Sequence, residues 1–87
     1  MKLEKGETYI WTHSVGTDTL KTTFKVLEDY SKEGSDSRPP HYMCEFIKIR
    51  MNGKEVTESY LEKSFSGERT RGLPVEKIEE MDSLKKA

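Results

Sequence analysis

A chain of 87 residues has room for one hydrophobic core and none for a second. With 32% apolar and 36% charged residues, that core is thin and depends on large rings, and no apolar run approaches the roughly 20 residues of a membrane-spanning helix. The lone Cys44 excludes an intramolecular disulfide, the opening Met1-Lys2-Leu3-Glu4-Lys5-Gly6 lacks the apolar segment of a signal peptide, and a pI near 6.1 argues against a dedicated nucleic-acid binder, so a reducing, cytoplasmic setting is expected.

Lys5 to His13 reads as a first strand opened by Gly6 and rich in aromatic and β-branched residues, with Tyr9 and Trp11 on one face. Turn-formers fill Ser14 to Thr19. A second strand runs from Leu20 to about Tyr30: Leu20, Thr22, Phe24 and Val26 share one face and Lys21, Thr23 and Lys25 the other, and only Leu27 breaks the alternation. Residues 31–40, SKEGSDSRPP, hold no apolar side chain and form a long polar loop whose Pro39-Pro40 pair is extended. A third strand spans His41 to Met51. Its apolar parity switches from Tyr42, Cys44 and Phe46 to Ile47, Ile49 and Met51, which predicts a bulge or bend near Phe46.

Asn52-Gly53 is the preferred pair for a type I′ turn, since both central residues need positive φ, and it sends a fourth strand back from Lys54 to about Tyr60. Leu61 and Phe65 fit a short helical turn, and Ser66 to Gly72 reads as a second polar loop. Leu73 to Met81 supports two structures. Pro74 can open a short amphipathic helix carrying Val75, Ile78 and Met81, or a 3₁₀ turn before a closing strand at Ile78 to Met81. The second is preferred because a four-stranded meander otherwise leaves two exposed edges. Residues 82–87 are expected to form a flexible tail.

Four or five antiparallel strands, a bent third strand and a short turn before the last element look like a single small SH3-like β-barrel, a mostly-β fold. The Gly-Glu-Thr-Tyr opening and the Leu-Pro-x-x-x-Ile-Glu closing phrase are similar to the ends of many short SH3-like bacterial and phage proteins. The chain lacks the ALYDY-like segment and paired Trp residues with which SH3 domains hold polyproline, so the resemblance implies a fold and no binding site.

No cofactor or metal site is expected. His41 and Cys44 fall on opposite faces of a strand, and the spacing of His13, His41, Cys44 and Glu45 matches no zinc pattern. Cys44, between Tyr42 and Phe46, reads as packed and inert, and Glu-Arg-Thr-Arg between Gly67 and Gly72 lacks the Lys-Ser or Lys-Thr of a phosphate loop. The chain therefore reads as a non-enzymatic interaction module with a protein partner, in the manner of small regulatory or inhibitor proteins of phages and mobile elements, and as a monomer or edge-strand homodimer. The alternative is a small barrel that binds single-stranded nucleic acid, with Tyr9, Trp11, Tyr42 and Tyr60 as candidate stacking rings. Contact residues are sought among polar positions in or beside loops: Arg38, His41, Lys63, Arg69 and Arg71, with Lys48, Arg50 and Lys54 around the hairpin turn.

Overall fold

Alternating apolar and polar residues build strands β1 (Thr8–Val15) and β2 (Asp18–Tyr30), paired antiparallel across a tight turn at Gly16-Thr17 in which Gly16 takes φ +63°. The computed structural model describes residues 2–32, 39–81 and 83–87. Strand β3 (His41–Met51) lies antiparallel to β2 with the bounds its sequence predicts. The register slips twice. Thr23 faces Lys48 while Phe24 faces Phe46, leaving Ile47 unpaired, and Val26 faces Cys44 while Glu28 faces Met43, leaving Leu27 unpaired. These bulges stand where the alternation of each strand breaks. Ile47 is 45% exposed, and beyond it Ile49 is buried while Lys48 and Arg50 turn outward.

The hairpin turn has the expected geometry, with Asn52 at φ 53° and Gly53 at φ 84°. It also ties down the neighbouring hairpin: Thr19 N–H donates to Asn52 Oδ1 at 3.0 Å, and Asn52 Nδ2 donates to Asp18 Oδ1 at 2.9 Å. After the turn, expectation and structure part. The returning strand β4 is only Lys54–Glu55, and the chain then enters helix α1 (Thr57–Phe65) where a strand to Tyr60 was expected. Glu58, Leu61, Glu62 and Lys63 are strong helix formers, and the helix stops at Ser66 (φ 54°) and Gly67 (φ 81°), whose N–H donates to the Leu61 carbonyl at 2.9 Å.

The expected polar loop at 66–72 carries strand β5 (Thr70–Pro74), which pairs antiparallel with His41 to Glu45 of β3. Pro74 ends that strand, and Val75–Glu79 forms α2. A closing strand does exist, yet it is β6 (Leu84–Lys86) against β1, within the segment expected as a tail, and not Ile78 to Met81. Among the described residues the strands make one antiparallel sheet in the order β4-β3-β2-β1-β6, with β5 also on β3. The sheet is not closed into a barrel, because no pairing joins β6 to β4 or β5. The mostly-β expectation stands without the SH3-like closure.

One face of the sheet, with Tyr9, Phe24, Val26, Cys44, Phe46 and Ile49, packs against Leu61 of α1, Ile78 of α2 and Met81. Leu3 plugs one end, fully buried, and Tyr9 Oη accepts from Glu4 N–H at 2.8 Å. The join between helix and sheet is Thr57. Its buried Oγ1 accepts from Ile49 N–H at 2.9 Å and donates back to the Ile49 carbonyl at 3.4 Å, and Val56 N–H donates to the same carbonyl at 2.8 Å. Replacing Thr57 by Val keeps the shape but strands a buried N–H, so Thr57→Val is expected to cost about 1–3 kcal/mol in urea unfolding while Thr57→Ser loses less.

Candidate functional site

The two helices cover the inner sheet face incompletely. Between them lies a cleft of about 410 Å³, within the size range of sites that take small ligands or side chains. Phe24, Phe46 and Ile49 form its floor, α1 contributes Tyr60 and Phe65, β5 contributes Arg71 to Pro74, and Trp11 and His13 close the β1 side. Each wall follows from local sequence. Trp11 and His13 are two apart on one strand and so share a face, and their rings stack at 3.7 Å between centroids, 5° from parallel. Phe65 ends α1 against Phe46 at 5.0 Å, with Tyr60 edge-on at 6.2 Å.

Two cations stand at the mouth. The Arg71 guanidinium lies 4.7 Å from the Phe65 ring centroid, and the Lys77 ammonium 5.8 Å from the Trp11 ring. Both side chains are exposed, and among the described residues neither takes part in an ion pair. Burial, and then the charge of Lys77, hold the His13 imidazolium below its ordinary 6.5, so the ring facing the cleft is neutral at pH 7. The site is an apolar aromatic trough with a positive rim.

Of the contact residues expected from sequence, only Arg71 lines this cleft. Arg69 is occupied by an ion pair with Glu58, and Lys63 points to solvent from the last turn of α1. Lys48 and Arg50 lie on the opposite sheet face, Lys48 4.0 Å from Glu55, and Lys54 sits exposed on β4. His41 is no rim residue. It is 9% exposed, packed against Tyr30 at 5.2 Å, with Nδ1 3.0 Å from the Pro39 carbonyl, and a Cβ on Gly72 would come within 3.1 Å of its ring. Arg38 lies outside the described residues.

His13, Phe65 and Lys77 were not among the expected contacts, and Trp11 and Tyr60 were expected only as stacking rings of the nucleic-acid alternative. Their sequence signal was Trp11 with His13 two residues on, but nothing local places Lys77 above them. Of the four rings considered for base stacking, Tyr9 and Tyr42 are enclosed in the core, while Trp11 and Tyr60 line the cleft. Cys44 is buried without exposure, and desolvation pushes its thiol up to about 12. Among the described residues no cluster of three His, Cys, Asp or Glu side chains is placed to hold a metal, and no helix is long and apolar enough to cross a membrane.

Comparison with protein-family models, curated proteins and solved structures finds no match for this chain.

Two measurements check the electrostatics. Because the folded pKa of His13 is depressed, its contribution to stability is present above pH 6.5 and is lost as pH falls through the folded value. The urea midpoint of the wild type therefore declines on the acid side more than that of His13→Phe, and Lys77→Gln raises the His13 NMR titration midpoint while leaving it below 6.5, since burial is the larger cause. A thiol reagent at pH 8 should leave Cys44 untouched in the native protein and label it fully in denaturant; rapid native labelling would contradict the burial.

Proposed function

We propose that this chain is a non-catalytic interaction module that binds a protein partner through the cleft between α1 and α2. The observation that carries the reading is the open aromatic lining of Trp11, Tyr60 and Phe65 under two cations that are unpaired among the described residues. Trp, Tyr and Arg are the side chains that dominate binding energy where they meet in a concave, desolvated pocket. The floor asks for an apolar group, and the rim asks for negative charge close to it. A short segment of the partner that places an aromatic or branched apolar side chain beside Asp or Glu supplies both.

Single-stranded nucleic acid is the second reading, favoured by the Trp11-His13 stack under Lys77, which presents a flat platform of the kind on which bases lie.

Selection from a random peptide display library distinguishes them. Peptides enriched on the wild type should pair an apolar residue with acidic neighbours, and Arg71→Glu or Lys77→Glu, each verified as folded, should weaken them by about 2 kcal/mol, roughly thirtyfold. Selection of no consensus, together with quenching of Trp11 fluorescence by a short oligothymidine, would move the assignment to single-stranded nucleic acid.

A further inference from the structure

The face of the sheet turned away from the helices carries a second, chemically different surface. On β2, Lys21 and Lys25 project outward between the buried Leu20, Thr22, Phe24 and Val26. Register places Arg50 directly opposite Lys21, and Lys48 opposite Thr23, whose other neighbour is Ile10 of β1. Ile10 in turn faces Lys85 of β6. Lys21, Lys25, Lys48, Arg50 and Lys85, drawn from three strands, thus share one face, and Ile10, Lys21, Thr23, Lys48 and Arg50 line a single shallow depression there.

Like charges directly opposite one another on neighbouring strands oppose pairing, so Lys21 beside Arg50 works against the β2-β3 ladder, while on its other side Arg50 faces Glu55 of β4. Dilution is slight. Glu45 lies opposite Lys25, and Glu55 lies opposite Arg50 and 4.0 Å from Lys48, two carboxylates against five cations, and Lys21, Arg50 and Lys85 enter no ion pair among the described residues. The nearly neutral total conceals this because Glu58, Glu62, Glu76, Glu79 and Glu80 sit on or beside the helices.

We propose that this face binds the sugar-phosphate backbone of a nucleic-acid duplex without reading its sequence. From β3 through β2 and β1 to β6, the sheet spans about 14 Å at ordinary strand spacing. About 14 Å of duplex axis carries about eight phosphates around both strands, and the half or so that can face the sheet, about four, suffices to meet most of the five cations. Thr8, Thr12 and Thr23 stand among the cations with hydroxyls of the kind that contact phosphate oxygens. An acidic protein is the poorer occupant, since the face offers no aromatic anchor of the sort that forms an interface core. The site is independent of the cleft, which opens on the other side of the sheet.

The test is fluorescence anisotropy with a labelled short duplex of arbitrary sequence. Engagement of about four phosphates predicts that raising salt from about 50 to about 200 mM weakens binding on the order of 100-fold. Lys21→Gln with Arg50→Gln should lower the slope of log affinity against log salt by about two. Lys2→Gln with Lys32→Gln, the same change of net charge elsewhere, should leave it in place. Duplex-induced NMR shifts in the wild type should gather at Lys21, Thr23 and Lys48, which tests the site even if a variant folds poorly. The proposal is overturned if the duplex does not bind at low salt, if both double variants weaken it equally, if the shifts fall on the cleft, or if poly-glutamate binds where the duplex does not.

Discussion

Strand β3 has two edges, and the second is the constraint on which the remainder of the fold depends. One edge pairs with β2 from His41 to Met51, interrupted at Ile47. The other would leave a row of buried N–H and C=O groups without partners unless the chain returned to cover it. It returns twice, in pieces. β5 covers His41 to Glu45, the Arg69 carbonyl accepts from Phe46 N–H at 2.7 Å, Thr57 and Val56 serve Ile49, and β4 takes Arg50 and Met51. Because α1 leaves the sheet between the two pieces, the helix is placed over the inner face by the same bonds that complete the ladder. The cleft is the space remaining between that helix and the returning β5-α2 segment.

This origin explains the chemistry of the cleft. Its floor consists of core residues that are already buried, Phe24, Phe46 and Ile49, so the apolar surface it offers comes from the partly buried rings around them. Phe65, at the last position of α1, is only partly buried, and Arg71 uses its ring face as a platform rather than a carboxylate as a partner. Aromatic faces attract cations without neutralising them, so the rim keeps its positive charge available. The neutral state of His13 keeps the opposite wall apolar, which lets one trough be greasy below and charged above.

Much of the sheet was legible in the sequence, and the reasons differ by element. β2 and β3 are long enough for their alternation to be counted, and the interruptions at Leu27 and Phe46 appeared as phase errors that the structure resolves into bulges. Asn52-Gly53 announced its own backbone geometry. The same turn misled the assignment of residues 56–60, because a hairpin normally returns a strand of matching length, and Tyr60, Leu61 and Phe65 suit a helix or a strand equally well until Thr57 is seen bonding Ile49. β5 was hidden because an edge strand exposed at Thr70 and Arg71, with Gly72 admitted to clear the His41 ring, looks like a polar loop. Arg71, Trp11 and Tyr60 could be singled out one by one, but not their meeting in a cleft, since Trp11, Phe65 and Lys77 come together only through the order of the strands.

The bulge at Ile47 has a reach far beyond one residue. Side chains in a strand alternate with a period of two, so one additional residue works as a phase shifter for every later position in the strand. Before it, the even-numbered Tyr42, Cys44 and Phe46 are inside; after it, the odd-numbered Ile49 is inside and the even-numbered Lys48 and Arg50 are outside. The same sequence held in unbroken alternation, with Ile47 taking a regular place in the ladder, would drive Lys48 and Arg50 into the aromatic layer and expel Ile49 into water. The separation of a greasy side from a charged side, which gives this small sheet two distinct surfaces, is thus written in the count of residues along one strand as much as in their identity.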